Sequence, residues 1–485
     1  MTSNQASTES VPTVQAITGE PRDPYVTESI TGYQQQPIAE VERFPSIQVS
    51  SIVERNQTTG KKSLSEISIQ DLAKRMADAG DHFAEDFLGP DNTSPEEYIE
   101  NVVRVTGLPI STVTKAVKII RQSFKNIESA IQAQSPGTDT TVFDTLHYDA
   151  TEDVTAAYIP KGDNLGLIAP SNHPAVFSLA LAVYGMKYPL TIRPSDGDPF
   201  TPARVVHALH KAGVPEESVV LLPGDREIGK KTVENSDMAI GFGGTDLQQR
   251  YDSNRNVKIH GPGNSKVFVD AEQVEKDSTI LQLEEAMMVD GGRGCINMSQ
   301  IVTTGSADLL ADHLAQRIGT VPVRDPLEES ARIPAVTEVE QAEKFDRLIN
   351  RNLNSSKAED VTERYDDRPR VIQQNEVTYL RPTVIRLDWD EFEDGEHRLF
   401  QELPFQYATV VSVPESDIED ALSNSLAVTL LSNNHKLERT LLREPSIEKL
   451  YANGELTCDI NLREPHEGYL SDFLFKKQAY RKSDS

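Results

Sequence analysis

At 485 residues and 37% hydrophobic content, the chain can build about two or three cores, and no apolar run approaches the length of a membrane span. The formal charge of −28, from 76 acidic against 48 basic residues, excludes a nucleic-acid backbone as partner, because phosphate binding needs concentrated Lys and Arg. Two cysteines, Cys295 and Cys458, are too few for a disulfide framework in a chain this size.

The first sixty or so residues are rich in Ser, Thr, Gln and Pro and read as a polar tail or arm, residues 1–63. Met1 leads into this stretch without a basic start or an apolar run, so no secretory signal is expected and a cytoplasmic location is. Folding proper is expected from Leu64. Ser68 with Asp71 marks a helix start, continued by Leu72, Met76 and Phe83; a second helix follows Ser94 and a third runs from Ile110 to about Ile131. From Leu165 short apolar runs alternate with helical ones. The strands are Leu165 to Ala169, Leu190 to Ile192, Ser218 to Leu222 and Met238 to Phe242. The intervening helices are Ala175 to Met186, Thr201 to Ala212 and Ile228 to Asn235, with Asp246 to Tyr251 after the last strand. Such alternation predicts βαβ units and a parallel sheet covered on both faces, with ligands outside the carboxyl ends of the strands.

Three loops of unusual composition fall at those ends: Pro170-Ser171-Asn172-His173-Pro174, Arg193-Pro194-Ser195-Asp196 and Phe242-Gly243-Gly244-Thr245. None is a G-x-G-x-x-G fingerprint, so a conventional dinucleotide motif is absent. Further on, the turn His260-Gly261-Pro262-Gly263-Asn264 precedes Gly292-Arg293-Gly294-Cys295 by about thirty residues. A cysteine flanked by small residues lets a carbonyl approach its sulfur while backbone N–H groups face the oxyanion; taken alone, the same cysteine also suits a buried turn. Read singly, Asn172 is a helix cap, Gly243-Gly244 a tight turn and Glu402 a solvated side chain.

Together, in order, these segments resemble the aldehyde dehydrogenase superfamily. The resemblance continues through Asp325-Pro326-Leu327, Leu380-Arg381-Pro382-Thr383-Val384, Gln401-Glu402-Leu403-Pro404-Phe405 and Pro465-His466-Glu467-Gly468-Tyr469, covering about residues 150 to 470. It implies an α/β architecture: a Rossmann-like NAD(P)-binding domain over 64–260 with an oligomerisation hairpin at 142–158. An α/β catalytic domain over 261–455 and a C-terminal return and interface segment over 456–485 complete it. A homodimer or homotetramer is implied.

The resemblance assigns Cys295 as nucleophile and Asn172, with the Cys295 backbone N–H, as oxyanion donor. Ala169, Pro170, Ser171, Arg193, Ser195, Asp196, Phe242, Gly243, Gly244, Thr245 and Glu402 are implied to hold the cofactor. Arg193 stands where the family has a lysine, and Asp196 where it has a glutamate. The carboxylate favours NAD while the guanidinium suits the 2′-phosphate of NADP. In aldehyde-oxidising members the turn before the cysteine carries a water-activating glutamate; here His260 or Gly261 stands there. Gly261-Pro262-Gly263-Asn264 resembles instead the CoA-acylating aldehyde dehydrogenase and acyl-CoA reductase branch, in which CoA is co-substrate. A thiol needs less help than water because it ionises nearer neutrality. Two alternatives stay open: a non-acylating enzyme making a free acid, with His260 or a remote glutamate such as Glu284 or Glu285 as base, and a non-catalytic nucleotide-binding relative. No metal site is expected. Cys458 is expected in a core, and the acidic surplus suggests a surface suited to high salt, as in halophilic cells.

Overall fold

Two parallel sheets organise the chain, and the turn 261–265 carries it from one to the other. A computed structural model of the protein describes residues 11–151, 154–393, 396–452, 454 and 461–481; Cys458 lies outside the described residues. The first sheet has five parallel strands in the order Val257–His260, Met238–Phe242, Leu165–Ile168, Leu190–Arg193, Val219–Leu221. Apart from the half-buried edge strand Val257–His260, their residues are mostly buried, the pattern of a sheet covered on both faces. The order reverses direction at Leu165–Ile168, so the loops that follow this strand and its two neighbours line one crevice at the carboxyl edge.

The second sheet has seven strands, in the order Glu359–Asp360, Thr383–Asp388, Tyr407–Ser412, Gln300–Thr303, Lys266–Val269, Ser425–Leu431, Ile447–Tyr451. All its pairs are parallel except the one made by Glu359–Asp360. Its interior strand Lys266–Val269 begins directly after the turn 261–265, which fixes that turn at the carboxyl edge of the first sheet and the start of the second.

The expected helices form where capping and periodicity place them. Ser68 accepts a hydrogen bond from the Asp71 N–H at 3.1 Å and starts Ile69–Glu85, whose Leu72, Met76 and Phe83 are fully buried. Burying each contributes about 1.5–3 kcal/mol. Ser94 and Glu97 make a reciprocal capping box at the start of Pro95–Thr106, which ends at Gly107 with φ +71°. The third stretch divides at Asn126 into Ile110–Lys125 and Ile127–Gln134.

The segment 1–63, expected as a tail, is folded over its described part. Thr13–Val14, Pro37–Glu42 and Thr27–Thr31 form a three-stranded sheet, and Val49–Arg55 packs its buried Val49 and Val53 with Phe44, Leu222 and Ile228. Within this segment Glu42 gathers polar partners around a buried charge. Its fully buried carboxylate accepts from Arg22 at 2.5 and 2.8 Å and from the N–H groups of Ala16 and Tyr25 at 2.8 and 3.0 Å. The stretch 142–158 also differs in detail: Val142–Thr145 is one helical turn, and the extended part is His147–Thr151 pairing with Val154–Pro160. Phe475–Ala479 adds to the other side, so Val154–Pro160 is the middle of three antiparallel strands. Among the described residues no helix is long and apolar enough to cross a membrane.

Candidate active site

The loops after Leu165–Ile168, Leu190–Arg193 and Met238–Phe242 lie side by side. The Ala169 N–H donates to the Arg193 carbonyl at 2.9 Å; Ala169 and Pro170 are buried, whereas Ser171 is exposed. Arg193 donates to the Gly224 carbonyl at 2.8 and 3.1 Å and pairs with Asp196 at 3.4 Å. Asp196 also meets Arg43 at 3.3 Å, a residue of the amino-terminal segment. The Ser195 hydroxyl accepts the Gly197 N–H at 3.2 Å. At the third loop, the Gly243 N–H donates to the His260 carbonyl at 3.0 Å, Phe242 stacks on His260, and Gly244 precedes the helix Thr245–Tyr251. A Cβ added at Gly244 meets nothing within 4 Å, so this backbone is open to a ligand. These loops fit a dinucleotide: a half-exposed carboxylate at Asp196 for ribose hydroxyls, two guanidinium groups beside it and open glycine backbone at the adjoining strand end.

Cys295 is held by glycines that let backbones touch. A Cβ on Gly263 would lie 1.8 Å from the Cys295 carbonyl oxygen, and that oxygen accepts the Ser265 hydroxyl at 2.8 Å. Gly292, at φ +68°, lies against the Gln406 backbone, where a Cβ would come within 2.6 Å of its nitrogen. The Asn297 side chain closes the loop, accepting from the Gly294 N–H at 2.9 Å and donating to the Val289 carbonyl at 2.7 Å. Arg293 anchors it to distant elements by donating to the carbonyls of Thr106 at 2.5 Å and Ala335 at 2.7 Å. Asn172 donates one amide hydrogen to the Arg293 carbonyl at 3.0 Å, two residues before the sulfur. Its second hydrogen remains for an oxyanion.

The Cys295 sulfur borders a cavity of about 30 Å³ with His173, Asp290, Lys449, Asn461 and His466, room for about two waters. Burial, then the carboxylates of Glu402 and Glu467, push the Cys295 thiol up to about 12, while Lys449 opposes the shift. Lys449 is itself held below the usual lysine range by burial, against the fields of Glu464, Cys295 and Glu467. Glu402 does not reach out to solvent. Its Oε2 accepts the Gly263 and Asn264 N–H groups at 2.7 and 3.0 Å, and its own N–H donates to Asn264 Oδ1 at 3.0 Å. Burial raises its pKa. The turn thus carries no acidic side chain of its own yet is capped by a carboxylate from the segment that precedes the strand Tyr407–Ser412.

His260 ends its strand buried, with Nδ1 2.8 Å from Glu467 Oε2 and Nε2 without a partner. Glu284, by contrast, is tied to Arg317 at 2.5 Å and Arg332 at 2.9 Å, so it is engaged in ion pairs away from Cys295. The structure therefore brings Cys295, Asn172 and Glu402 to one place and the loops after Leu190–Arg193 and Met238–Phe242 to the carboxyl edge of the first sheet. Sequence reasoning missed Arg43, Lys449, Asn461 and the His173–Asp290 contact at 3.5 Å. Arg43 lay in the presumed tail. Lys449 sits on an edge strand with no local motif.

The family model for the aldehyde dehydrogenase family matches residues 20–391. A probable methylmalonate-semialdehyde/malonate-semialdehyde dehydrogenase [acylating] of Caenorhabditis elegans is 28% identical over 183 residues, 34% of this chain and 33% of that protein. Geranial dehydrogenase of Castellaniella defragrans is 22% identical over 195 residues, 38% of this chain and 41% of that one. The chain thus spans well under half the length of these curated relatives. Among solved structures, aldehyde dehydrogenase 21 from Physcomitrella patens in complex with succinate superposes with a TM-score of 0.79 at 12% identity, covering 97% of this chain and 98% of that one. 3,6-Anhydro-L-galactose dehydrogenase superposes at 0.77 with 15% identity, covering 96% and 99%. The fold is shared along nearly the whole length, and the family model spans most of the chain. The protein belongs to the aldehyde dehydrogenase family.

Proposed function

We propose that the protein is an NAD(P)-dependent oxidoreductase of the aldehyde/acyl-thioester couple that carries the acyl group on Cys295 and exchanges it with CoA. The observation behind the choice of CoA is the turn 261–264. It presents no carboxylate side chain of its own, and its Gly263 packs directly on the Cys295 carbonyl. The word acylating in the name of the Caenorhabditis elegans relative agrees with it.

In this reading the Cys295 thiolate, favoured by the Lys449 ammonium, attacks the carbonyl carbon. The Cys295 N–H and the free amide hydrogen of Asn172 receive the oxyanion, with Asn172 oriented by the Arg293 carbonyl. A nicotinamide dinucleotide bound at the three strand ends supplies the hydride acceptor, or the donor in reverse. Arg193 and Asp196 hold its adenosine end, with Ala169, Pro170, Ser171 and Ser195 beside them, and Phe242, Gly243, Gly244 and Thr245 line the next loop. Arg43 adds a second guanidinium to Asp196, which offsets the repulsion of a 2′-phosphate, so NADP is admitted alongside NAD. Glu402 bonds the turn backbone through Oε2 alone, and its Oε1 would accept from the nicotinamide ribose.

A second reading, hydrolytic release to the free acid, is favoured by one observation: His260 has its Nδ1 on Glu467 and its Nε2 unpartnered, the state of a general base. Assembly as a homodimer or homotetramer fits the unpaired outer edges of His147–Thr151 and Phe475–Ala479 and the exposed Val154 and Leu146. Incubating protein, NAD or NADP and hexanal with and without CoA tests the central choice. Thioester formed only with CoA supports acylation; acid formed at the same rate without CoA contradicts it.

A further inference from the structure

Whatever accepts the acyl group must lose a proton, and the thiol of Cys295 cannot take it while it is the acyl carrier. Among the described residues, the side chains that share its cavity offer few bases. His173 and Asp290 face each other, with Nε2 and Oδ1 3.5 Å apart and neither atom hydrogen-bonded, and His173 Nδ1 accepts the Ala175 N–H at 3.3 Å. Lys449 lies in the fields of Glu464 and Glu467, and Glu402 has its Oε2 taken up by two N–H groups. His466 also borders the Cys295 cavity, and its buried Nε2 has neither a hydrogen-bond partner nor a facing carboxylate in an ion pair; burial, then the fields of Lys449, His260 and Lys258, hold its pKa well below the usual histidine range.

Behind His466 lies a pair with the chemistry to support it. His466 also borders the adjoining cavity lined by His260, and the two rings stand 5.5 Å apart at 54°. One donor atom from each of His260, His466 and Glu467 lies within 4.8 Å of the others. Glu467 bonds His260 Nδ1 at 2.8 Å, which fixes the proton on that nitrogen and leaves the Nε2 lone pair free. The backbone that presents His466 and Glu467 is unusual: Glu467 sits at φ +51° and Gly468 at φ +79°, two successive left-handed residues. The His466 N–H closes this turn on the Gly468 carbonyl at 3.1 Å, and Lys258 holds the Glu467 carbonyl at 2.7 Å. A glutamate kept in that conformation is retained where the surrounding contacts over-determine it, as happens at functional sites.

We propose that His466, backed by the His260–Glu467 pair, is the base that takes the proton from the acyl acceptor as the acyl group leaves Cys295. The proposal rests on the reading of Cys295 as acyl carrier. In the step, the acceptor O–H or S–H bond breaks and its proton moves to His466. The new bond to the acyl carbon forms and the carbon–sulfur bond to Cys295 breaks, so the thiolate returns. The proton leaves toward Glu467, which is partly exposed, and no oxidant or reductant is consumed. The same three donors would suit a divalent metal, but the Lys258 ammonium stands 4.0 Å from the Glu467 carboxylate and the Lys449 field falls on both His466 and Glu467, which disfavours a dication.

The test compares the full-length protein with His466→Gln and Glu467→Gln, using hexanal, NAD or NADP, and CoA or water as acceptor. First-turnover NAD(P)H formation is followed by stopped flow and the acyl adduct on Cys295 by intact mass. The expected result is a first turnover unchanged in His466→Gln and not slowed in Glu467→Gln, whose lost carboxylate no longer raises the Cys295 thiol, with steady-state turnover down about 100-fold in His466→Gln and about tenfold in Glu467→Gln, and accumulation of the adduct in both. First-turnover and steady-state rates falling in parallel would show a structural role and overturn the proposal, as would unchanged turnover. Loss of turnover in wild-type protein dialysed against a chelator, with adduct accumulating, would assign the three side chains to a metal instead. A wild-type protein that forms no adduct and no NAD(P)H with either acceptor would overturn the reading of Cys295 itself, a result distinct from all of these.

Discussion

Gly263→Ala probes the contact between the two glycine turns most sharply. A Cβ at this position falls 1.8 Å from the Cys295 carbonyl oxygen, 2.7 Å from its carbonyl carbon and 3.2 Å from its Cα, all of them backbone atoms. Ordinary contact begins near 3.4 Å, so one of the two segments must retreat by roughly 1.6 Å. Neither is free to do so. Gly263 is bonded on one side to Glu402 at 2.7 Å and on the other to the Leu426 N–H at 2.7 Å, while the Cys295 carbonyl is held by Ser265. Overpacking of this kind costs about 1–3 kcal/mol, which a chain with a core this extensive withstands. Misplacing a nucleophile by about 1 Å costs about 100-fold in rate. Gly263→Ala is therefore expected to fold, with a modestly lower melting temperature, and to lose turnover at least about 100-fold in an NAD(P)H absorbance assay. Gly244→Ala is the control, since its Cβ meets nothing within 4 Å and its φ of −80° suits alanine; it is expected to keep the melting temperature. A Gly263→Ala protein with wild-type turnover would refute the claim that this contact sets the position of the sulfur.

Two further predictions follow from buried titratable groups. With the Cys295 thiol pushed up to about 12, its alkylation by iodoacetamide in the protein without ligands is expected to rise about tenfold per pH unit from 7 to 10, and Glu402→Gln to speed it. A plateau near pH 8.5 would contradict the burial argument. Lys266 is pushed down to about 7 by burial while its Nζ donates to the Ser423 carbonyl at 2.8 Å and the Ser425 hydroxyl at 2.7 Å. Between that value and the unfolded value of about 10.5 the unfolded chain binds the extra proton, so this group makes stability rise with pH by up to about 1.4 kcal/mol per unit. Urea melts between pH 7 and 9 are expected to show that slope in wild type relative to Lys266→Met; identical slopes would refute it.

The first parallel sheet was legible because Leu165–Ile168, Leu190–Arg193 and Met238–Phe242 are short apolar runs separated by helical periods, a local pattern. The amino-terminal fold was not, because its polar composition conceals Glu42, whose burial depends on Arg22 and on backbone N–H groups across a folded loop. The same distinction holds at the site. Gly263 and Gly292 announce themselves by residue type, since backbones approach there. Glu402 could be assigned only by resemblance; that its carboxylate caps the turn at Gly263 and Asn264 depends on a contact 138 and 139 residues apart. Lys449 and Asn461 reach the Cys295 cavity from a distant strand and loop, and no spacing in the sequence signals it. His466-Glu467-Gly468 did carry a signal, a glycine after two polar groups that hold chemistry, but its meaning needed His260 beside it.

The central claim is that Cys295 forms the covalent bond to the carbonyl carbon, and Cys295→Ala measures it directly. In the presence of hexanal, NAD or NADP, and CoA, the variant is expected to bind cofactor and melt as wild type does while forming no NAD(P)H above background. NAD(P)H formation by Cys295→Ala at the wild-type rate would contradict the account.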